Sequence, residues 1–226
     1  MNYITPKKIK EKSNSYSKRK EYSKKEKIVK ISSKQINKVS SPLITKMKYH
    51  SLKSLLLNED KNILYKICEG IDMILSEIIS DNKKMTEYTS ILLSQKENIF
   101  SLKKRPNITI TDFLRRIIAY TSIECSTLFL SIIYLHKILE KYFFLTEYNV
   151  HKILCISILI AIKYNEDKIS NNKFYGKVFG LDLKEVNALE CSYLQLVDFK
   201  LFIDHQSIKL FFNYLYKKIL AGVNNS

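Results

Sequence analysis

The chain has 226 residues, enough for one domain of ordinary size with extensions, and 46% of them are hydrophobic. It contains only four glycines and three prolines and no Asn-Gly or Asp-Gly pair, so its composition favours helices over β-hairpins. The net charge of +16 is uneven. Residues 1–50 hold 15 Lys/Arg against three Glu, a net +12, which leaves +4 for the rest of the chain.

No stretch of the sequence reaches the roughly 18 to 20 apolar residues that a bilayer-spanning helix needs. The longest apolar run, Ile153 to Ile162, has the length of a helix buried in a protein core. The N-terminus carries lysines from the seventh residue on and lacks the apolar segment of a signal peptide. We therefore expect a soluble intracellular protein, located in the nucleus, the cytoplasm or both.

The cysteines and histidines show no spacing typical of a disulfide framework or a metal site. The four cysteines lie far apart without a Cys-x-x-Cys motif, and no His-x-x-x-His pair occurs. In a reducing compartment such cysteines are free thiols that pack as small hydrophobic residues. The chain also lacks a nucleophile elbow, a phosphate-binding loop and a paired-carboxylate motif. We expect no catalytic residue, no metal and no cofactor.

The first 50 residues are dense in lysine and serine and lack sustained apolar periodicity, which predicts a disordered basic tail. Two clusters in it have the composition of a nuclear localisation signal or of a loose nucleic-acid contact. The alternative is a solvated tail that carries no targeting or binding signal. The clustered residues are Lys18, Arg19, Lys20, Lys24, Lys25 and Lys27.

The first predicted helix runs from Asn62 to Ser80, where isoleucines recur at steps of three and four residues. This spacing is typical of an amphipathic helix with a wide apolar face. A polar link follows over residues 81–104. A short helix is then predicted from Thr111, as its N-cap, to Tyr120.

The next two predicted helices run from Glu124 to Tyr142 and from Thr146 to Glu166. Thr146 is the expected N-cap of the second of them. That helix is apolar nearly all round, which indicates a central helix surrounded by others.

Three further helices are predicted in the rest of the chain. Residues 172–178 form a short helix with Gly180 as its C-cap. Asp182 and Glu185 make a capping-box-like start for a helix that ends near Val197. A last amphipathic helix covers residues 208–220.

Two charged residues interrupt these apolar helices. Lys163 lies near the end of the most apolar stretch, and Glu190 lies on the apolar stripe of a neighbouring helix. A buried or half-buried charge is costly unless it is paired, so the two suggest a surface that binds polar groups of a partner. Two simpler readings stay open. In one, the aliphatic part of the Lys163 side chain packs against apolar residues while its ammonium group reaches water. In the other, Glu190 forms an ion pair within the chain, with Lys163 as a candidate partner.

Four segments of the chain have a recognisable sequence pattern: Pro106–Ile117, Leu145–Leu154, Asn171–Val178 and Asn187–Glu190. In this order they resemble the P-type cyclins, the group related to the yeast phosphate-pathway cyclin and to the plant U-type cyclins. The resemblance implies an all-α fold with a single five-helix cyclin box around a central helix, one extra helix before the box and one after. On this basis residues 1–50 form the tail, 51–105 the N-terminal helix and linker, 106–203 the box, and 204–226 the C-terminal helix.

The resemblance also implies a function and a set of site residues. In cyclins, a lysine that ends the third box helix and a glutamate in the fifth hydrogen-bond the backbone of the kinase αC helix and its flanking loop. Lys163 and Glu190 match these positions, and Tyr164 follows the lysine in the same motif. Apolar positions that receive an isoleucine of the kinase are matched by Leu194, Phe199 and Leu201. The chain is thus expected to be a non-catalytic regulatory subunit that binds and activates a cyclin-dependent serine/threonine kinase, in cell-cycle or growth regulation.

The chain departs from the cyclin pattern at two positions. His136 stands where cyclins usually have an aspartate, and Phe179 stands where the P-type group typically has a glycine. A scaffold that binds a kinase without activating it therefore stays an alternative. A cyclin-fold transcription factor is a second alternative, although the near-neutral charge outside the tail argues against nucleic-acid binding.

Overall fold

The computed structural model describes residues 61–85, 88–90, 98–141 and 144–223, with the side chains of 61–63, 141 and 216–223 left out. Predictions about the basic tail and its lysine clusters lie outside these residues. The regular elements of the described part are helices: α1 (Lys61–Lys83), α2 (Ile110–Thr121), α3 (Cys125–Lys141), α4 (Val150–Asn165), α5 (Asn172–Phe179), α6 (Leu183–Leu196) and α7 (His205–Val223).

Helix α4 lies at the centre of the fold, as its all-round apolar sequence predicts. Its side chains are buried from Val150 to Ile162 with few exceptions, because α3 covers it most extensively and α6 packs on another face. A helix buried on every side needs no polar face, which explains the uninterrupted apolar run. The expected all-α arrangement, a five-helix box α2–α6 around a central helix with α1 before it and α7 after it, is confirmed.

Helix α1 packs against α2 and α7 through its predicted isoleucine face, which includes Ile67, Ile71 and Ile74. A polar contact fixes its register on α2. The Asp72 carboxylate accepts hydrogen bonds from the backbone N–H of Thr111, at 3.1 Å, and from its hydroxyl, at 2.7 Å. The division of the chain at residues 50, 105 and 203 stays a prediction.

The prediction that Thr111 caps α2 is wrong. The N-cap is Thr109, whose backbone is extended and whose hydroxyl accepts from the N–H of Asp112 at 3.0 Å. Thr111 lies inside the first turn. Its hydroxyl is used for the contact with α1, which the local sequence does not reveal.

The prediction that Thr146 caps α4 is also wrong, because the helix begins four residues later at Val150. Residues 146–149 form a turn in which the N–H of Thr146 donates to the side-chain oxygen of Asn149 at 2.8 Å. The amide nitrogen of Asn149 donates to the carbonyl of Phe144 at 2.8 Å. Asn149 is fully buried, so these bonds satisfy a polar group that the core encloses.

The predicted ends of α5 and α6 agree with the structure. Gly180 caps α5 with a left-handed φ of 75°, and the Asp182 carboxylate accepts from the N–H of Glu185 at 2.7 Å. The Glu185 side chain forms an ion pair with Lys152 of α4 at 2.8 Å. Helix α7 begins at His205, earlier than predicted, because Asp204 accepts from the N–H of Ser207 at 2.9 Å.

Phe179, the residue that replaces a glycine of the P-type pattern, is part of the core. Its side chain is buried and its ring stacks on Tyr175 at a centroid distance of 6.1 Å. Its carbonyl accepts a hydrogen bond from the Arg116 guanidinium of α2 at 3.3 Å. The turn after α5 therefore accommodates the larger side chain, and the left-handed position falls on Gly180. Among the described residues, no helix combines the length and apolarity that crossing a bilayer requires.

Candidate partner-binding site

The two charges singled out in the sequence meet at the surface where α4 and α6 lie side by side. Lys163 is in the last turn of α4, and Glu190 is in the middle of α6. The ammonium nitrogen of Lys163 is 2.7 Å and 2.9 Å from the two carboxylate oxygens of Glu190. The internal ion pair, one of the open readings, is thus present in the isolated chain.

Asn172, the first residue of α5, completes this polar cluster. Its side-chain nitrogen donates to a carboxylate oxygen of Glu190 and to the side-chain oxygen of Asn187, each at 2.7 Å. Its own side-chain oxygen is buried and has no hydrogen-bond partner among the described residues. The sequence did not reveal Asn172, because its role depends on how α5 packs against α6.

The ion pair keeps hydrogen-bonding capacity for a partner. A lysine ammonium has three donors and a carboxylate about four acceptor positions, and the internal bonds do not use all of them. The side chains of Lys163 and Glu190 remain 29% and 16% exposed. The pair can therefore bind a carbonyl and an N–H of a partner backbone at the same time without being broken.

The segment of residues 197–203 follows α6 and begins with a turn over residues 197–199, and we call this segment the Phe199 turn. The N–H of Phe199 bonds to the carbonyl of Leu194 at 2.9 Å. Asp198 and Phe199 have φ of 53° and 56°, a left-handed conformation that costs a non-glycine residue about 1–2 kcal/mol. The turn projects two aromatic rings, because Phe199 is 67% exposed and Phe202 is 77% exposed. Phe202 was not among the predicted site residues, although it belongs to the same apolar segment.

The remaining predicted site residues surround this turn. Leu194 lies one helical turn after Glu190 on α6, and both Leu194 and Leu201 are half-buried against the core. Tyr164 is exposed beside Lys163, and the edge of its ring meets Tyr134 at a centroid distance of 6.3 Å. The structure thus places the six predicted residues at the C-terminal end of α4, along the second half of α6 and in the Phe199 turn. Their contact with a partner stays a prediction.

Exposed aromatic rings are typical of a protein-binding surface. Aromatic side chains are enriched in the buried centres of interfaces, and large apolar side chains are otherwise scattered singly over a protein surface. We call the group formed by Lys163, Tyr164, Glu190, Leu194 and the Phe199 turn the α4–α6 surface. Among the described residues, no group of three or more His, Cys, Asp or Glu side chains is placed to hold a metal ion.

Comparison with known proteins identifies the family to which the chain belongs. A family model described as Cyclin matches residues 61–201, more than half of the chain. Cyclin-U4-1 of Arabidopsis thaliana is 28% identical over 163 residues, which cover 71% of this chain and 80% of the relative. PHO85 cyclin-like protein psl1 of Schizosaccharomyces pombe is 34% identical over 158 residues, 65% of each chain. The chain belongs to the cyclin family, in the group of the P-type and U-type cyclins.

Proposed function

We propose that this cyclin binds a cyclin-dependent serine/threonine kinase through the α4–α6 surface and shifts that kinase to its active state. Cyclins are regulatory subunits of such kinases, so the phosphoryl transfer itself belongs to the partner. The observation that supports this surface most directly is the Lys163–Glu190 pair, whose two side chains remain partly exposed and whose internal bonds leave donors and acceptors unused. The role belongs to cell-cycle or growth regulation in general terms.

The chemistry of the surface fits a helix end of the kinase. The Lys163 ammonium would donate to a backbone carbonyl, and the Glu190 carboxylate would accept from a backbone N–H. Burying a backbone group without such a partner costs about 1–3 kcal/mol, so the pair stabilises the docked helix. Phe199 and Phe202, in the turn that follows α6, supply exposed apolar area, as the aromatic anchors of an interface do.

Activation follows if the docked helix is the kinase αC helix in its inward position. In that position the lysine–glutamate ion pair of the kinase active site forms and the activation loop rearranges. A partner that binds the inward state more tightly than the outward state raises its population in proportion to the difference in affinity. In this way, binding at the α4–α6 surface raises the fraction of kinase molecules in the active state.

The test replaces both members of the pair, Lys163→Ala with Glu190→Ala. We expect kinase affinity at least about tenfold lower, because removing charged groups from the centre of an interface costs about 2 kcal/mol or more. Affinity is measured by titration with the purified kinase identified by co-purification from the source cell. Stimulated phosphorylation is measured in the same samples.

The matched control is Lys152→Ala with Glu185→Ala, an ion pair that joins the same two helices at their other end. Lys152 also donates to the carbonyls of Ile99 and Ser101, so this control loses at least as many internal bonds. Equal affinities of the two double variants would overturn the assignment of the surface. Binding without stimulated phosphorylation by the unaltered chain would show a scaffold in place of an activator.

A further inference from the structure

The Phe199 turn has a backbone conformation that its own sequence does not favour. Asp198 and Phe199 are consecutive non-glycine residues in the left-handed region, with φ of 53° and 56°. Such residues persist only where surrounding contacts hold them. The local bonds of the turn run from the N–H of Phe199 to the carbonyl of Leu194 and from the N–H of Leu201 to that of Phe199, and they connect the turn only to the end of α6.

Helix α3 holds the Phe199 turn through two further hydrogen bonds. The hydroxyl of Tyr134 donates to the carbonyl of Leu201 at 3.0 Å, and the ammonium of Lys137 donates to the carbonyl of Lys200. Tyr134 and Lys137 are three residues apart, so both lie on the face of α3 that meets the turn. Tyr134 is fully buried, and burial raises the pKa of its phenol, which keeps the hydroxyl protonated as a donor.

Tyr134 is itself fixed from two sides. The hydroxyl of Tyr193 on α6 donates to the backbone carbonyl of Tyr134 at 2.8 Å. The Tyr134 ring meets the ring of Tyr164, which lies on α4 next to Lys163. One buried side chain therefore contacts both the Phe199 turn and the α4 side of the α4–α6 surface.

We propose that Tyr134 is a positioning residue, whose hydroxyl holds the Phe199 turn so that Phe199 and Phe202 face the partner before it binds. The proposal rests on the function proposed above, because the turn is taken to be part of the kinase-binding surface. A side chain fixed in its bound conformation loses less entropy on binding, so the pre-formed turn raises the affinity.

The first test follows the turn in the free chain and needs no partner. The sequence contains no tryptophan, so Phe199→Trp introduces a single fluorescent reporter at the turn. We expect Tyr134→Phe to lower the fluorescence anisotropy of that reporter. The matched control, Tyr175→Phe, removes the hydroxyl of another buried tyrosine, which accepts from the backbone N–H of Ser170 away from the turn, and we expect no change with it. Lys137→Met, at an exposed bond to the same turn, is the second variant in case Tyr134→Phe does not fold.

The second test measures kinase affinity with the native Phe199 in place. Tyr134→Phe is expected to weaken binding about five- to tenfold, the effect of one lost hydrogen bond, and Tyr175→Phe by less than about twofold. Asparagine tolerates the left-handed conformation better than aspartate does. Adding Asp198→Asn to the Tyr134→Phe chain is therefore expected to restore part of the lost kinase affinity. Thermal unfolding of each variant separates these effects from a general loss of stability.

The outcomes distinguish this proposal from the proposed function. An anisotropy that is equal in Tyr134→Phe, Tyr175→Phe and the parent reporter overturns the positioning role, whatever the kinase does. A lower anisotropy together with unchanged kinase affinity of Tyr134→Phe overturns the link between the turn and binding. If the Lys163→Ala, Glu190→Ala chain also keeps its affinity, the proposed kinase surface fails with it.

Discussion

Phe199 has two properties that are both unfavourable for the stability of the free chain. Its backbone occupies a region that glycine favours, and its ring is 67% exposed, so the side chain stabilises the isolated fold little. Strained, exposed aromatic residues are expected where binding a partner offsets the cost. The sequence Asp198-Phe199 has no glycine that would predict a left-handed turn, so this feature was visible only in the structure.

Replacing Phe199 by glycine is expected to raise the free energy of unfolding by about 1 kcal/mol, because the strain is removed and little packing is lost. The same change is expected to weaken kinase binding at least about tenfold. Urea unfolding and an affinity titration give the two values. Phe202→Gly is the control, since Phe202 is similarly exposed without a positive φ and should lose affinity with no gain in stability. A less stable Phe199→Gly chain would contradict the account.

At the scale of helices, Asn172 joins α5 to the ion pair between α4 and α6. Its amide holds one carboxylate oxygen of Glu190, which limits the rotation of that side chain. Sequence analysis predicted α5 and its ends, and it placed Lys163 and Glu190 on adjacent helices. It did not find Asn172, because an asparagine at a helix start is ordinary there and its partner lies 18 residues away.

Asn172→Ala is expected to weaken kinase binding about three- to tenfold, because Glu190 loses a charge-assisted hydrogen bond that orients it. Asn187→Ala is the matched control. It breaks the bond between the two asparagines and leaves the bond from Asn172 to Glu190 in place. The affinities are compared by calorimetric titration. Equal losses in the two variants would show that Asn172 acts through helix packing alone.

The contact between α3 and α7 contains His136, one of the departures from the cyclin pattern. Its Nε2 atom is buried without a partner among the described residues, and its ring edge meets Phe211 of α7 at 5.9 Å. Burial lowers the pKa of His136, and the neighbouring Glu140 opposes this shift in part. The neutral imidazole is thus the form that packs in this contact.

The pKa shift of His136 predicts the pH dependence of stability. With a lowered pKa in the folded chain, the unfolded chain binds the proton first, so stability is complete above about pH 6.5 and falls as the pH drops below it. His136→Phe keeps an aromatic ring and is expected to flatten this fall. Burial also lowers the pKa of His151, so some slope remains. Urea unfolding at pH 7.5 and 5.5 checks this, and an unchanged slope would show that His136 does not contribute.

At the scale of the whole molecule, local patterns predicted the helices well and their contacts only in part. The apolar run of α4 and the isoleucine period of α1 each determine a buried face, so both helices were found. Thr111 and Thr146 were misplaced as caps because several residues near each start can cap a helix, and tertiary contacts decide which one does. The bond from Tyr134 to Leu201 spans 67 residues, a distance over which sequence spacing carries no signal.

The most direct measurement uses a charge exchange, Lys163→Glu with Glu190→Lys, in the full chain. The exchange keeps an ion pair between α4 and α6, and the Asn172 amide can turn its unpaired oxygen toward the new lysine, so the free energy of unfolding should change little. Thermal unfolding checks this. The exchange reverses the donor and acceptor presented to the kinase backbone. We expect affinity at least about a hundredfold lower than that of the unaltered chain, because both contacts become repulsive. A chain that folds normally and binds the kinase as before would contradict the claim that this pair contacts the kinase.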